Sequence, residues 1–337
     1  MEYIELGKTG MQVSRTAFGA LPIQRRTMEE SIELLRGAYE AGINFFDTAR
    51  GYSDSEEKIS RALGDVREKV FIATKTTARG PASLSADLDK SLSFLGYIDI
   101  MQFHNYIPNE DEYQTVQDYI RAGKIRHVGV SLHSRERGFE AVQSKRFETI
   151  QFPLSCISDE GDLELAKACK EAEMGFIAMK ALAGGLILEK KANFAFLRSL
   201  ESIVPIWGMD NLDHLEEFIS LENENPQMCD EFLTAIEKEK AELQGKFCRG
   251  CGYCEPCPAG IVLHTVCKME SIMQRFPNKW FTVRPFREMM KKTEECTQCG
   301  ICTTRCPYFI KTNEVVIHTR DLYNKFLEEH KDEIPDD

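Results

Sequence analysis

The chain has 337 residues, 42% of them hydrophobic, and a formal net charge of −12, so it is long enough for one large core plus a small appendage. The acidic balance argues against nucleic acids and anionic membrane surfaces as main partners, because both would repel it. Glu2 and Glu5 stand where a secretory signal needs basic and apolar residues, and no apolar run approaches the roughly 20 residues of a membrane span. The sequence therefore predicts a soluble cytoplasmic protein.

Strand and helix patterns alternate over the first two thirds of the chain. Residues 1–20 contain two short extended segments around the turn Gly7–Gly10, followed by a first core strand, Thr16–Gly19. The further predicted strands are apolar and rich in β-branched or aromatic residues: Asn44–Asp47, Val70–Lys75, Ile98–His104, His127–Ser131, Thr149–Gln151, Phe176–Lys180 and Ile203–Trp207. The predicted helices between them carry an apolar stripe at 3.6-residue spacing and include Met28–Glu40, Ala82–Phe94, Glu112–Arg121, Asp162–Glu173 and Leu212–Ile219.

The polar or small residues that end these strands recur at steps of 20 to 29 residues: Gly19, Asp47, Lys75, His104, Ser131, Gln151, Lys180 and Trp207. Eight strand–helix repeats at this period predict an α/β fold, a (β/α)8 TIM barrel whose active site lies at the carboxyl ends of the strands. An open doubly wound sheet would need a glycine-rich phosphate turn after the first strand, and Phe18–Pro22 is not one. We assign the barrel to residues 1–222, an acidic helical connector to 223–245, a cysteine module to 246–313, and a charged helix and tail to 314–337.

The expected barrel brings Asp47, Tyr52, Lys75 and His104 to one mouth. Carbonyl reduction by hydride needs a proton donor for the developing alkoxide, and a free tyrosine, with a pKa of about 10, is a slow donor at neutral pH. We expect Lys75 to lower the pKa of Tyr52, Asp47 to keep Lys75 charged, and His104 to orient the substrate oxygen. Taken alone, His104 is typical of a core histidine and Tyr52 of a surface aromatic. The presence of all four residues together favours a catalytic set.

Several motifs make residues 1–222 resemble the aldo-keto reductases: L-G-K-T-G, F-F-D-T-A-x-x-Y, I-A-T-K, D-I-M-Q-F-H, G-K-I-R-H-V-G-V-S and I-Q-F. The resemblance implies a TIM barrel with Tyr52 as general acid and with Asp47, Lys75 and His104 as its partners. It also implies that Ser131 and Gln151 hold the carboxamide of a nicotinamide cofactor.

The segment after the seventh barrel strand departs from this family. Family members commonly carry an aromatic ring there to stack on the nicotinamide, whereas this chain has Met179. A methionine sulfur also packs against aromatic faces, so stacking is weakened and not removed. Lys180 replaces the usual serine, and it either contacts a ligand or forms a structural ion pair.

The segment after the last strand bears on the choice of cofactor. It contains Asp210 and Asp213 but no Arg or Lys, and a 2′-phosphate needs a cation. We therefore expect NAD(H) to be favoured over NADP(H), with Gly208, Asp210 and Asn211 at the cofactor and the helix start near Asn211 at its pyrophosphate. Other phosphate-bearing cofactors, including a flavin, fit the same features.

Two cysteine runs, each ending in Cys-Pro, follow the connector. The predicted metal ligands are Cys248, Cys251, Cys254 and Cys257 in the first run, and Cys296, Cys299, Cys302 and Cys306 in the second. The second run has the bacterial ferredoxin spacing, in which the fourth cysteine binds the other cluster, so we expect two [4Fe-4S] clusters that exchange Cys257 and Cys306. Only two residues separate Cys254 from Cys257, which leaves Cys267 as an alternative ligand. A zinc ribbon is the competing interpretation.

The C-G-Y-C-x-P-C-P motif resembles a subgroup of aldo-keto reductases with a C-terminal ferredoxin-like domain. We therefore predict an oxidoreductase that interconverts a small carbonyl and an alcohol by hydride transfer, with Tyr52 as general acid and base, coupled to iron–sulfur clusters. Two alternatives stay open: a flavin-containing enzyme that uses the clusters as an electron relay, with an electron-transfer protein as partner, and a non-catalytic redox sensor.

Overall fold

The computed structural model describes residues 1–243, 248, 253–273, 276–306 and 308–335. The chain divides into two compact units, Met1–Glu239 and Lys240–Asp337, so the division falls inside the segment predicted as a connector. Among the described residues, no helix combines the length and the apolar character that crossing a membrane requires.

The first unit is a closed barrel with a hairpin. Its strands are β1 (Tyr3–Glu5), β2 (Gln12–Ser14), β3 (Ala17–Gly19), β4 (Phe45–Asp47), β5 (Phe71–Thr76), β6 (Ile98–His104), β7 (Ile125–Ser131), β8 (Thr149–Pro153), β9 (Gly175–Met179) and β10 (Ile203–Gly208). Strands β1 and β2 form an antiparallel hairpin. Strands β3 to β10 pair in parallel in chain order, and β10 pairs with β3 to close the barrel. The predicted TIM barrel with an N-terminal hairpin is confirmed.

Helices surround this barrel. They are α1 (Met28–Glu40), α2 (Ser55–Leu63), α3 (Pro81–Leu95), α4 (Glu110–Arg121), α5 (Arg135–Ser144), α6 (Glu160–Glu171), α7 (Lys190–Ser199), α8 (Leu212–Glu224) and α9 (Asp230–Leu243), which crosses the division between the units. Capping side chains fix the residues at which several of these helices begin. Helix α6 begins two residues before its predicted start because the Asp159 carboxylate accepts the backbone N–H of Asp162 at 3.1 Å.

The apolar side chains of the first unit form two cores. One fills the barrel, with Phe45, Ala73 and Ile100 among its members, and the hairpin residue Leu6 belongs to the same cluster. The larger core lies between the strands and the surrounding helices and includes Trp207, which stacks on Phe218 of α8. Both faces of the parallel strands are therefore buried, which accounts for their near-continuous hydrophobic sequences.

The second unit is smaller and helical. Its helices are α10 (Leu263–Val266), α11 (Met269–Met273), α12 (Lys279–Thr282), α13 (Arg284–Lys291), α14 (Ile301–Thr304) and α15 (Thr312–Glu329). A compact apolar cluster joins them and includes Leu263, Phe281 and, from α15, Val316 and Tyr323. The charged C-terminal helix thus shares the core of the cysteine module.

Candidate active site

An ion pair lies at the carboxyl ends of two neighbouring barrel strands. Lys75 on β5 donates from Nζ to Asp47 Oδ2 at 2.7 Å and to the Thr48 carbonyl at 2.6 Å. Both side chains of the pair are buried. Burial raises the pKa of Asp47 and lowers the pKa of Lys75, and their mutual attraction opposes both changes.

Two aromatic rings lie beside this pair. Lys75 Nζ is 5.1 Å from the centroid of the Tyr52 ring, and the Tyr52 and His104 rings meet edge to face with centroids 6.3 Å apart. Tyr52 lies in the loop between β4 and α2, and His104 ends β6. The structure thus brings the four residues predicted as the catalytic set together from three consecutive strands.

The expected lowering of the Tyr52 pKa is not what this geometry produces. Burial and the charge of Asp47 raise the pKa of Tyr52 above its ordinary value. Two N–H groups of the Lys75 ammonium go to Asp47 and the Thr48 carbonyl, so the charge of Asp47 offsets the ammonium that was expected to favour the phenolate. Tyr52 therefore holds its proton at neutral pH and, as a weaker acid than free tyrosine, can give it only to a strongly basic oxygen such as a developing alkoxide.

Ser131 and Gln151, predicted to hold a carboxamide, are register partners on β7 and β8. Ser131 Oγ is buried and has no hydrogen-bond partner among the described residues, so it is available to a ligand. Gln151 Nε2 donates to Asp47 Oδ2 at 3.4 Å, and Gln151 Oε1 accepts from Gln102 Nε2 at 2.9 Å. Sequence reasoning missed Gln102. The signal was its place two residues before His104, which puts both on the same face of β6.

Met179 and Lys180 follow each other where β9 ends. The strand was predicted to end at Lys180, but it ends at Met179, whose side chain joins the core inside the barrel. Lys180 adopts φ +54°, in the left-handed region, so the chain turns out of the sheet one residue earlier than expected. The Lys180 carbonyl then accepts the backbone N–H of Ala183 at 2.7 Å, which closes a tight turn.

The residues predicted at the cofactor phosphates lie between β10 and α8. Gly208 ends β10, and Asn211 caps α8 by accepting the His214 backbone N–H at 2.8 Å, so this helix start is not bare. Asp210 contacts a cation that sequence reasoning missed: Arg26 Nη2 lies 3.1 Å from Asp210 Oδ2. His214 Nδ1 lies 2.8 Å from the other oxygen of this carboxylate.

Arg26 belongs to the loop after β3, far from Asp210 in sequence. The buried Lys58 of α2 holds this loop in place, donating to the carbonyls of Ile23 at 2.8 Å and Arg26 at 2.7 Å. The absence of a cation from the segment after β10 therefore does not mean that its surroundings lack one. Strand order in the closed barrel explains the contact, since β3 and β10 are neighbours.

The thiols of the second unit gather around its apolar cluster, against which Cys254, Cys257, Cys267, Cys296 and Cys302 pack. The Cys267 thiol is hydrogen-bonded to Cys248 and lies near Cys254 and Cys302, and these neighbours together with burial raise the pKa of Cys267. Burial is the main cause that raises the pKa of Cys302, with Cys257 nearby. Thiols of both runs thus converge, as soft iron ligands should.

Other features of the thiol set bear on the kind of metal group. Cys299 and Cys306 are also described, whereas Cys251 lies outside the described residues. Within the described parts of the chain, no three His, Cys, Asp or Glu side chains are grouped as ligands of one metal ion. A cubane cluster binds each thiolate through a different iron, so its ligands stand farther apart than those of a single ion. The described thiols are soft sulfur ligands of the kind that both iron–sulfur clusters and zinc take.

Known protein families match both units. A family model described as the aldo/keto reductase family matches residues 15–201, which is more than half of the chain. A second model, described as a 4Fe-4S dicluster domain, matches residues 247–311. This second match supports iron–sulfur clusters over a zinc ribbon.

Individual relatives agree with the first match. The chain is 27% identical over 245 residues to aldo-keto reductase dtxS3 of Metarhizium robertsii and 30% identical over 216 residues to aldo-keto reductase YhdN of Bacillus subtilis. Each match covers 56% of this chain, and 66% and 65% of these relatives, which is less than two thirds of their length.

Solved structures share the fold. Aldo-keto reductase AKR11C1 from Bacillus halodurans, in its holo form, superposes with a TM-score of 0.64 at 19% identity, covering 71% of this chain and 96% of that one. A thermostable aldo-keto reductase, Tm1743, solved with the inhibitor epalrestat, superposes with a TM-score of 0.62 at 25% identity, covering 71% and 100%.

Proposed function

Because this chain belongs to the aldo/keto reductase family, we propose that it interconverts a small carbonyl and its alcohol by hydride transfer, with Tyr52 as general acid and base. The observation that carries the proposal is the grouping of Tyr52, Lys75, Asp47 and His104 at the carboxyl ends of three consecutive strands. The carboxyl end is where barrel enzymes of this architecture build their active sites.

The proton path follows from the contacts of Tyr52. In the reductive direction, the phenol gives its proton to the substrate oxygen while the carbonyl carbon accepts a hydride, which a bound dihydronicotinamide supplies. The phenolate that remains lies near the Lys75 ammonium, whose Nζ is 5.1 Å from the ring centroid, and it regains a proton from water. His104, edge-on to Tyr52, is placed to orient the same substrate oxygen.

Residues on neighbouring strands would hold the cofactor. Ser131 offers a buried hydroxyl with no partner among the described residues, and Gln151 lies beside it in register. Asp210 suits a free ribose hydroxyl, which favours NAD(H), whereas Arg26 beside it is the group that a 2′-phosphate would need. We propose NAD(H) as the preferred cofactor, because the Arg26 guanidinium is already paired with the Asp210 carboxylate.

The clusters would be held by Cys248, Cys251, Cys254 and Cys306 in one set and by Cys296, Cys299, Cys302 and Cys257 in the other. We propose that they are redox-active. A nicotinamide gives up two electrons as hydride and a cluster passes single electrons, so exchange between them needs a carrier that does both, usually a flavin, bound or on a partner protein. Cluster absorbance that NADH bleaches only in the presence of flavin or a flavoprotein supports this role. Clusters that dithionite cannot reduce refute it.

Turnover of a carbonyl panel with NADH, by protein purified without air, tests the main proposal. We expect Tyr52→Phe to lower turnover by about 10²- to 10⁴-fold with little change in NADH binding, because only the proton donor is lost. Tyr113→Phe is the matched control, since its hydroxyl donates to the Arg146 carbonyl outside the site. A Tyr52→Phe protein that retains wild-type turnover would refute the proposed role.

A further inference from the structure

A buried amide connects the ion pair to the residue expected to hold the nicotinamide. Gln102, on β6, is fully buried, and its Nε2 donates to Gln151 Oε1 at 2.9 Å and to Asp47 Oδ1 at 3.4 Å. Gln151 Nε2 in turn donates to Asp47 Oδ2 at 3.4 Å. The three side chains therefore close a triangle of hydrogen bonds that contains a carboxylate and two amides.

The charge of Asp47 fixes the direction of both amides. If the Gln102 amide were reversed, its oxygen would face Asp47 Oδ1 and Gln151 Oε1, which are both acceptors. If the Gln151 amide were reversed, its oxygen would face Asp47 and its nitrogen would face the Gln102 nitrogen. Each reversal leaves buried groups of like polarity in contact, which is costly, so each amide has one allowed orientation.

The barrel sequence provides room for this triangle. Gly129 on β7 is the register partner of Gln102. A Cβ atom at Gly129 would lie 2.1 Å from Thr149 Oγ1 and 3.3 Å from Gln102 Cγ, so a larger residue would displace one of them. The absence of a side chain at Gly129 thus leaves the space that Thr149 and Gln102 occupy.

We propose that Gln102 is a positioning residue that orients the Gln151 amide for the cofactor; this inference rests on the proposed function. An amide has two N–H donors and two acceptor lone pairs. Gln102 takes one lone pair of Gln151 and Asp47 takes one of its N–H groups, so one donor and one acceptor remain. The primary carboxamide of a nicotinamide also has an acceptor oxygen and N–H donors. It can therefore pair with the donor and the acceptor of Gln151 that remain.

NADH titration of the full chain carrying its clusters tests the proposal. In Gln102→Met, which keeps the volume and removes the amide, we expect the NADH dissociation constant to rise about tenfold, because the Gln151 amide is free to turn. The Michaelis constant for the carbonyl stays within about twofold of wild type, since Gln102 has no role in holding the substrate. Thr149→Val is the matched control, because Thr149 Oγ1 is buried beside Gly129 and has no hydrogen-bond partner among the described residues.

A double-mutant cycle separates a positioning role from a structural one. If Gln102 acts through Gln151, the combined Gln102→Met and Gln151→Met protein binds NADH no more weakly than Gln151→Met alone. Additive losses, or a Gln102→Met protein with wild-type affinity, would overturn the proposal and leave the proposed function standing. Failure of the unmodified chain to bind NADH or NADPH would overturn both. If Gln102→Met does not fold, Gln102→Asn, whose amide is too short to reach both partners, carries the same expectation.

Discussion

At the mouth of the barrel, Asp47, Lys75 and His104 stand on strands and only Tyr52 of the proposed catalytic set lies in a loop, so neighbouring strands fix most of the site. Lys75 and Gln102 are register partners, as are Ser131 and Gln151. In the second unit most of the described thiols lie outside helices, and five of them pack around a small apolar cluster. The strands of the barrel therefore arrange its site, whereas a module whose thiols hold iron–sulfur clusters is expected to take part of its stability from them.

Loss of the buried ammonium tests this preorganisation most severely. We expect Lys75→Met to lower carbonyl reduction about 10³-fold and to cost roughly 3 kcal/mol in the free energy of unfolding, because Asp47 is left buried without its partner. Single-turnover kinetics and denaturant titration measure the two effects.

The control is an ion pair with a buried carboxylate at the amino ends of the strands. Arg67→Met breaks the pair in which Arg67 Nη2 lies 2.8 Å from Asp99 Oδ2, and it lowers stability, but Arg67 precedes β5 and Asp99 lies at the start of β6, away from the carboxyl ends that carry the catalytic set, so the hydride-transfer step stays unchanged. Equal losses of that step in both variants would mean that the Lys75 effect is only structural.

The next largest expected effect is the pH dependence of carbonyl reduction and alcohol oxidation. Reduction needs Tyr52 protonated, and its pKa is raised, so the rate of reduction stays level from pH 7 to about 9. Alcohol oxidation needs the phenolate, whose fraction rises tenfold for each pH unit below the pKa, so its rate increases about 100-fold over this range. Initial rates in both directions across this interval give the comparison. A fall in reduction near pH 8 would instead indicate a lowered Tyr52 pKa.

Some features of these sites could be predicted from the sequence, and others could not. The barrel and its catalytic set were predictable, because strand ends at a steady step of residues put Asp47, Lys75 and His104 on one face. Two contacts were not: Arg26 reaches Asp210 through the closure of β3 onto β10, and Gln102 joins Asp47 through side-chain rotamers. The two-residue period of a strand places Gln102 on the same face of β6 as His104, but the partners that Arg26 and Gln102 reach depend on barrel closure and on rotamers, which have no sequence period.

The pKa of Tyr52 was predicted in the wrong direction for a related reason. A lysine next to a tyrosine lowers the phenol pKa when its charge is free to act on the ring. Here burial of the phenol raises its pKa, and the charge of Asp47, which holds the ammonium, acts in the same direction. The residue types at this site were therefore predictable from the strand pattern, but the balance of their charges required their distances.

The choice between NADH and NADPH tests the contact between Arg26 and Asp210, which closure of the barrel creates. We expect Asp210→Ser to shift the preference from NADH toward NADPH by about tenfold, because Arg26 loses its carboxylate partner and is free to bind a 2′-phosphate. The ratio of kcat/KM for the two cofactors is the measurement. Asp213→Ser is the control, since Asp213 is an exposed residue in the first turn of α8. An unchanged ratio in Asp210→Ser would place the 2′-position elsewhere.

The smallest expected effect is a halving of iron content, and it distinguishes two ligand assignments in the second unit. If the clusters exchange their fourth cysteines, Cys257→Ser lowers iron from about eight to about four atoms per chain, while Cys267→Ser leaves it unchanged. Iron and sulfide are assayed on protein purified without air. The reverse result would make Cys267 the ligand, in keeping with its contact with Cys248. In both variants the thermal unfolding of the barrel should stay at the wild-type temperature, because the barrel has its own core. A barrel that unfolds earlier when iron is lost would show that its site also depends on the metal, and the contrast between the two units would not hold.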